Sequence, residues 1–217
     1  MNRSSLPLLG LVIPAALLAA WWLAAHSGGI APVLLPSPEA VWEAFVRMAA
    51  DGSLAAHIGM SAMRTMTGFV LAAAFGIGCG VWFAVRPAAA AASHFVIEFL
   101  RLTPPLALIP VLILWLGIDE APKIAIVFLS SFFPIYLSAL TAVKGIDPKL
   151  AEVAELLRFT SAERFRMLTL PAAMPGILAG LRMGFGYSWR ALVGAELIAA
   201  SSGLGFLITE SSEFGKT

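Results

Sequence analysis

The chain has 217 residues, of which 59% are hydrophobic and only 12% are charged, and its mean hydropathy is +0.89. Soluble domains carry roughly 25% charged residues, so this composition excludes an ordinary soluble protein and predicts an all-α, polytopic membrane protein. The net charge of +1 gives no reason to expect a nucleic-acid partner, and the single cysteine excludes an internal disulfide framework and a multi-cysteine metal site.

Five apolar segments predict membrane-spanning helices. The first, residues 6–25, is longer than the apolar core of a signal peptide, so we interpret it as a retained span. The four later spans are expected at 66–85, 102–118, 124–143 and 172–200. Three glycines in the second span, Gly68, Gly76 and Gly80, favour close contact between helices.

The loop after the first span contains an amphipathic pattern. Pro36-Ser37-Pro38 precedes residues 39–50, in which apolar side chains recur at helical spacing. Ser37 has the side chain of a helix N-cap. The pattern therefore predicts a capped helix that lies on the outer membrane interface.

Basic residues are distributed asymmetrically between the loops. If the N-terminus is cytoplasmic, eight Lys and Arg residues fall in inside segments and four in outside segments, namely Arg47, Arg64, Lys123 and Lys216. Cytoplasmic loops of membrane proteins carry the excess of Lys and Arg. We therefore expect a cytoplasmic N-terminus and a cytoplasmic segment 147–171.

Segment 147–171 is charged and amphipathic. Asp147-Pro148 is typical of a helix N-cap and first helical position. An apolar stripe follows at Leu150, Val153, Ala154 and Leu157. Thr160 and Glu163 predict a capping box that opens a second short helix, which Pro171 is expected to end. Two short helices with apolar faces suggest a docking element for a soluble partner.

The same segment resembles inner-membrane permease subunits of bacterial binding-protein-dependent ABC importers. Their pattern is E-A-A, three residues, G, nine residues, I-x-L-P, and it corresponds here to Glu152-Val153-Ala154, Arg158 and Leu168-Thr169-Leu170-Pro171. Val153 and Leu168 are mild departures, whereas Arg158 replaces a glycine that would permit a tight turn. Because Thr160 can cap the next helix, we expect this turn to use ordinary backbone angles.

The resemblance extends through residues 102–117, 170–177 and 195–205 to the branch that imports sulfonates, taurine and nitrate. It implies a type I ABC importer permease-like helical bundle, a single transmembrane domain over residues 1–217 in which 147–171 is the cytoplasmic coupling helix. Such permeases have six spans, so a sixth is expected beyond Thr217. Contact with the ATPase is implied for Glu152, Ala154, Arg158, Leu170 and Pro171.

The resemblance also implies the partners and the activity. Two permease copies would form the pore, two ATPase subunits would supply energy, and an extracytoplasmic binding protein would deliver a small anion. The location implied is a bacterial inner (plasma) membrane, in contact with lipid. The chain itself would be a non-catalytic subunit without a cofactor. Gly215-Lys216-Thr217 does not complete a phosphate loop, because Glu210 occupies the first glycine position of that motif, so the energy is expected to come from a partner.

Charged and bent positions within spans are the candidates for a pathway or gate. Arg182, Arg190 and Glu196 lie in the fifth span, where ionisable groups at membrane depth mark functional sites by default. The alternative for Glu196 is a structural ion pair with Arg190 or another helix. Pro104 and Pro105 lie where the third span begins, and bent helices there favour a translocation path.

Two other functions are weaker alternatives. An ion-coupled secondary transporter would carry charges in several spans and show internal repeats, whereas only the fifth predicted span is charged. An intramembrane enzyme would need paired catalytic groups within spans, and the three aspartates lie in predicted loops. Histidines are not clustered at metal-ligand spacing, so no metal site is expected.

Overall fold

The computed structural model describes the backbone of residues 6–213 and the side chains of this range except those of residues 6–10 and 151. Helices make up most of the described chain, and none of the described residues lies in a β-strand, which confirms the all-α prediction. The described residues divide into two compact units, one of residues 6–58 with 207–213 and one of residues 59–206.

The first unit contains α1 (Leu6–His26) and α2 (Pro38–Ala50), which are joined by indole hydrogen bonds. Trp21 Nε1 donates to Pro36 O at 3.0 Å, and Trp22 Nε1 donates to Glu39 Oε1 at 2.9 Å. The predicted cap of α2 is confirmed, because Ser37 Oγ accepts from the Ala40 amide at 3.3 Å. These contacts hold the start of α2 against the end of α1.

The remaining helices follow in chain order. They are α3 (Ser53–Val85), α4 (Pro87–Leu102), α5 (Ile109–Leu116), α6 (Glu120–Lys144), α7 (Pro148–Leu156), α8 (Ser161–Glu163), α9 (Leu170–Ala199) and α10 (Leu204–Glu213). In the described part of the chain, three helices are long and apolar enough to cross a membrane, or four if the bent pair α4–α5 counts as one span. The second span, predicted at 66–85, is part of α3, which ends at Val85 as expected but begins thirteen residues earlier, at Ser53. Helix α10 was not predicted.

Helix α6 lies between α3 and α9, and small residues permit the close approach on both sides. On α3, Gly68 faces Val127 and Gly80 faces Ala139, so contacts advance in the same direction along both helices. On α9, Gly176 faces Ala142 and Gly184 faces Ile135, so these contacts run in opposite directions. Helix α3 is therefore parallel to α6 and α9 is antiparallel, which bears out the glycine prediction for α3.

The third span was predicted at 102–118, but in the structure the apolar segment begins earlier, at Pro87, and is broken at 103–104. Helix α4 ends at Leu102, a 3₁₀ turn covers Pro105–Leu108, and the two helical parts meet at 89°. Thr103 and Pro104 both have ψ near 122°, because a residue that precedes proline is pushed to extended backbone. Since α3 and α6 are parallel, the bent pair must return the chain from the end of α3 to the start of α6 and so makes one net crossing.

The helix over 161–171 does not end at Pro171 as predicted. A π-helical turn, Arg164–Thr169, joins α8 to α9, and together they form one continuous helix, Ser161–Ala199, of 39 residues. Pro171 has no N–H for the usual backbone bond. The Leu170 N–H instead reaches the Phe165 carbonyl, and this wider turn carries the helix through the proline.

The glycine contacts give a testable difference between two neighbouring positions of α3. A Cβ at Gly80 would lie 2.7 Å from both the Ala139 Cβ and the Tyr136 carbonyl oxygen, whereas a Cβ at Gly78 would meet nothing within 4 Å. We expect Gly80→Ala to lower the free energy of unfolding in detergent by about 1–3 kcal/mol, because α3 must move away from α6. Gly78→Ala is the control and should gain up to about 1 kcal/mol from helix propensity. Equal stabilities would contradict the packing.

Candidate functional site

A buried charge cluster is centred on Arg64 of α3. Its side chain is fully buried, and all five of its N–H groups have acceptors. Nε and Nη2 form a bidentate pair with Glu120, the Nη2 bond being 2.8 Å, and Nη1 lies 2.6 Å from Glu196 Oε1. Nη1 and Nη2 also donate to the carbonyl and hydroxyl of Ser202, at 2.6 and 2.9 Å. Arg64 thus connects α3, α6, α9 and the link between α9 and α10, which is residues 200–203.

Glu196 is as fully bonded as its partner. Its carboxylate accepts from the Ser61 hydroxyl at 2.9 Å and from the Gly205 amide at 2.9 Å, in addition to Arg64. The Ser61 hydroxyl in turn accepts from the Leu204 amide at 2.9 Å. Anionic and hydroxyl oxygens therefore receive the first amides of α10, a favourable arrangement at a helix N-terminus.

Lys123 balances the charge of the cluster. Its side chain is 5% exposed, and Nζ lies 3.5 Å from Glu120 Oε1 and 3.0 Å from the Asp119 carbonyl oxygen. Two cations thus face two carboxylates, so the buried charges of the cluster are paired, and the Glu120 side chain remains 40% exposed. Gly203 lies against this cluster with φ +113°, and a Cβ there would overlap the Glu196 carboxylate.

The sequence identified Glu196 but not its partner. One alternative was that Glu196 forms an ion pair with Arg190 or with another helix. In the structure its partner is Arg64 of α3 and not Arg190. Arg64 and Lys123 had been interpreted as cations of external loops, and that interpretation is wrong because both are buried in helices. One signal in the sequence could have indicated that Arg64 lies in a helix. The residues that follow it, Thr65-Met66-Thr67, are compatible with a helix, and no turn residue occurs before Gly68.

A separate cavity of about 470 Å³ lies beside the middle of α6. Its walls come from the α4–α5 break, from α6 and from α9, and they include Pro105, Phe133, Pro134, Leu137 and Met183. The polar side chains of the lining are Arg101, Ser130, Tyr187 and Arg190. Pro134 lies about 21 Å from the start of α6 at 1.5 Å per residue, so the cavity lies near the middle of that helix along its axis.

The two arginines of the cavity differ in their charge partners. Arg101 forms an ion pair with Glu98 one turn earlier on α4. Arg190 Cζ lies 5.6 Å from the centroid of the Tyr187 ring, and among the described residues no carboxylate lies within ion-pair distance of it. The cavity therefore combines an apolar wall with an uncompensated positive charge, an environment that attracts an anion.

The predicted pathway residues are only partly brought together at this cavity. Arg182 is exposed and Pro104 lies at the bend, and neither lines the cavity. Pro105 and Arg190 do line it. Arg101 and Tyr187 were missed, because Arg101 falls in a segment that the sequence places in a loop and Tyr187 has no distinguishing pattern around it.

Segment 147–171 has the predicted caps. Asp147 Oδ1 accepts from the Lys149 amide at 2.9 Å, and Pro148 is the first residue of α7. Thr160 and Glu163 form the reciprocal capping box at the start of α8, with the Thr160 amide 2.8 Å from Glu163 Oε2. Both caps are confirmed, and they fix where the two short helices begin.

The turn between α7 and α8 contradicts the expectation of ordinary backbone angles. Arg158 has φ 52°, and it is the non-glycine residue with positive φ in the described chain. The Phe159 amide donates to the Ala154 carbonyl and the Arg158 amide to the Glu155 carbonyl, both at 3.0 Å. These are the two bonds of a Schellman motif with Arg158 at the left-handed position, where glycine fits without strain.

The predicted contact residues occupy two kinds of environment. Glu152 is exposed, and the apolar side chains beside it are also exposed, at Leu150, Val153, Leu156 and Leu157. Ala154 is buried at 2% exposure beneath the turn, and Leu170 packs against a core of Ala139, Ala173 and Ile177. Pro171 is exposed in the first turn of α9. The uncovered face of α7 is of the kind that marks a protein interaction surface.

Comparison with known proteins matches these features to a family. Residues 72–217 match the family described as binding-protein-dependent transport system inner membrane component. The putative aliphatic sulfonates transport permease of Bacillus subtilis is 35% identical over 96% of this chain and 75% of its own length. The taurine transport system permease of Escherichia coli is 38% identical over 92% and 74%. The nitrate import permease of Leptolyngbya laminosa is 30% identical over 76% and 59%.

The strained turn at Arg158 predicts a stabilising substitution. An L-residue in the left-handed conformation costs about 1–2 kcal/mol, and glycine loses part of this gain through its freer unfolded chain. We expect Arg158→Gly to stabilise the turn by about 0.5–1 kcal/mol. Hydrogen exchange of the Phe159 amide in the purified protein should then slow by about two- to fivefold.

Arg158→Ala serves as the control for that experiment. It removes the arginine charge but keeps the Cβ that causes the strain. Exchange at Phe159 should therefore not slow in Arg158→Ala. If alanine and glycine protected the amide equally, the charge of Arg158 and not its backbone conformation would be the destabilising feature.

Proposed function

This chain belongs to the family of binding-protein-dependent transport system inner-membrane components, and we propose that, as the permease subunit of an ABC importer, it carries a small anion through the cavity that Arg190 lines. Arg190 is the observation that carries this proposal. An arginine within a membrane-spanning helix is costly unless it is paired or faces a substrate pathway. Arg190 faces a cavity and has no carboxylate partner among the described residues.

The substrate class follows from the relatives and the cavity together. The relatives' names specify aliphatic sulfonates, taurine and nitrate, which share an anionic oxygen-bearing group. Arg190 supplies donors for such a group, and the apolar wall at Phe133, Leu137 and Met183 suits the carbon chain of a sulfonate. We therefore expect the substrate to be an aliphatic sulfonate, taurine, nitrate or a similar small anion.

Energy would reach the pathway through segment 147–171. The exposed apolar face of α7 with Glu152 on it suits docking in a groove of an ATPase subunit. ATPase and binding-protein partners are implied by the family. Two permease copies and two ATPase subunits are our proposal for the assembly, in which closure of the ATPases displaces the docked segments and alternates access to the pathway.

The proposed orientation places the N-terminus and segment 147–171 in the cytoplasm of a bacterial cell. Of the four basic residues assigned to the outer side, Arg64 and Lys123 are buried in the charge cluster and do not face water. Arg101, which was assigned to the inner side, lines the cavity, so seven inner and two outer cations remain in the loop count. That asymmetry supports the orientation.

Docking is tested by reversing the charge of Glu152. We expect Glu152→Lys to weaken retention of the ATPase on the purified permease by about tenfold, because the new cation would repel a basic groove. The measurement is the yield of ATPase that co-purifies with tagged permease. Glu43→Lys is the control, since Glu43 is also an exposed helical carboxylate but lies on α2. Full complex yield and full ATP-dependent uptake in Glu152→Lys would remove the assignment.

The anion pathway is tested by neutralising Arg190. We expect Arg190→Gln to lower ATP-dependent uptake of radiolabelled taurine, nitrate or butanesulfonate, whichever the importer accepts, by about tenfold or more. Arg190→Lys keeps the charge and should retain part of the uptake. Arg182→Gln is the matched control on the same helix and should leave uptake within about twofold of the wild type. Equal losses in the two glutamine variants would argue against a pathway at Arg190.

A further inference from the structure

We propose that Arg64 is a positioning residue for transport, which holds the link between α9 and α10 in register with the helix that starts in segment 147–171. The inference rests on the proposed function for its consequence, because it assumes that segment 147–171 is displaced by an ATPase. Its structural half, the positioning of the link by Arg64, stands on the geometry of the cluster alone.

The cluster restricts the arrangement of the link. The five N–H groups of the planar guanidinium donate to five acceptors of Glu120, Glu196 and Ser202, and the rigid fork restricts where these three residues can lie. Gly203 is pressed against the Glu196 carboxylate so closely that a Cβ would not fit. Replacing a buried ion network by apolar residues of similar volume is often neutral or stabilising, so stability alone does not explain this network.

The link is also attached directly to α9. The amides of Leu204 and Gly205 are received by Ser61 and by Glu196, so the start of α10 cannot move relative to Glu196 without leaving buried polar groups unpaired. The polar groups on both sides of the link therefore belong to the same network as Arg64. A displacement of Glu196 must carry the link with it or break the network.

One helix connects this network to segment 147–171. The continuous helix Ser161–Ala199 begins within the segment and contains Glu196 near its other end, about 50 Å away at 1.5 Å per residue. Arg190 lies on the same helix, about 9 Å before Glu196. A shift that begins in segment 147–171 therefore moves the cavity residue Arg190 and the network residue Glu196 together.

In this arrangement Arg64 transmits a movement of α9 to the link, which a residue that only fills space would not do. With the network intact, the link follows the helix and changes position at the end of the bundle opposite segment 147–171. With the network loosened, the helix still moves but the link no longer follows it. ATP hydrolysis would then continue while its coupling to substrate delivery at that end is lost.

The structural half is tested on the purified permease by hydrogen exchange at the Leu204 and Gly205 amides. Arg64→Lys keeps the charge but cannot supply five donors in one plane. Ser202→Ala removes a single acceptor and leaves every charge in place, with Ser201→Ala as the matched control. We expect exchange to be about tenfold faster in Arg64→Lys, faster in Ser202→Ala, and unchanged in Ser201→Ala. Unchanged exchange in Ser202→Ala relative to Ser201→Ala would overturn the proposal.

The functional half is tested in proteoliposomes that contain the permease, its co-purifying ATPase and the binding protein. We expect Ser202→Ala and Arg64→Lys to keep basal ATP hydrolysis within about twofold of the wild type but to lower its stimulation by loaded binding protein, by about fivefold or more for Arg64→Lys. A purely structural role would lower both rates in parallel. Stimulation and uptake at wild-type levels in both variants would overturn the role in transport.

The two experiments separate this inference from the proposed function. If no ATPase co-purifies with the wild-type chain, the proposed function fails and the role of Arg64 in coupling fails with it, while the exchange result still decides whether Arg64 positions the link. If the ATPase co-purifies and uptake proceeds but the amides at 204 and 205 are unaffected by Ser202→Ala, the inference fails and the proposed function stands.

Discussion

The close approach of α6 to both α3 and α9 is the constraint on which the rest of this bundle depends. Glycines at Gly68, Gly76 and Gly80 on one side and Gly176, Gly180 and Gly184 on the other let backbone and small side chains meet. In a bilayer, helices gain little from burying apolar surface against each other, so close packing and interhelical hydrogen bonds must hold them. The bond from the Ser131 hydroxyl to the Gly184 carbonyl, 3.1 Å long and buried, is one such contact.

The directions of these contacts determine the path of the intervening chain. Because α3 and α6 are parallel, the residues between them must cross the bundle, and they do so through a bent pair rather than a straight helix. The cavity lined by Arg190 lies beside this bend, with Pro105 and Leu106 of the 3₁₀ turn in its wall. The opening through which we propose that substrate passes is therefore formed in part by the bent pair.

Local features were predictable from the sequence because they depend on neighbouring residues. The caps at Asp147 and Thr160 require only a side-chain oxygen and an amide two or three residues later, and both formed as predicted. The helical class and the glycine contacts of α3 also follow from composition and spacing. The site was less accessible, because the partner of Glu196 lies 132 residues away in sequence and no periodic pattern links the two positions.

The errors also have identifiable physical causes. Pro171 was expected to end a helix, but a π-helical turn before it lets the helix continue, which a rule based on α-helical bonding does not anticipate. Arg158 was expected to avoid positive φ, but the Schellman bonds to Ala154 and Glu155 need that conformation at the residue after the helix whatever its side chain. In both cases the surrounding hydrogen-bond pattern overrode the preference of the single residue.

The two charged regions of the bundle illustrate how the same residue type serves opposite purposes. Arg64 is surrounded by acceptors and neutralised by carboxylates, so it has no donor left for a substrate and can only fix geometry. Arg190 has an aromatic neighbour and an apolar cavity in front of it, so its donors remain available to an anion. The two side chains also differ in burial, because Arg64 is fully buried whereas Arg190 is exposed. A charge without a protein counter-ion is tolerated in a bundle where a ligand or water can complete its hydrogen bonds, and the exposed Arg190 meets that condition.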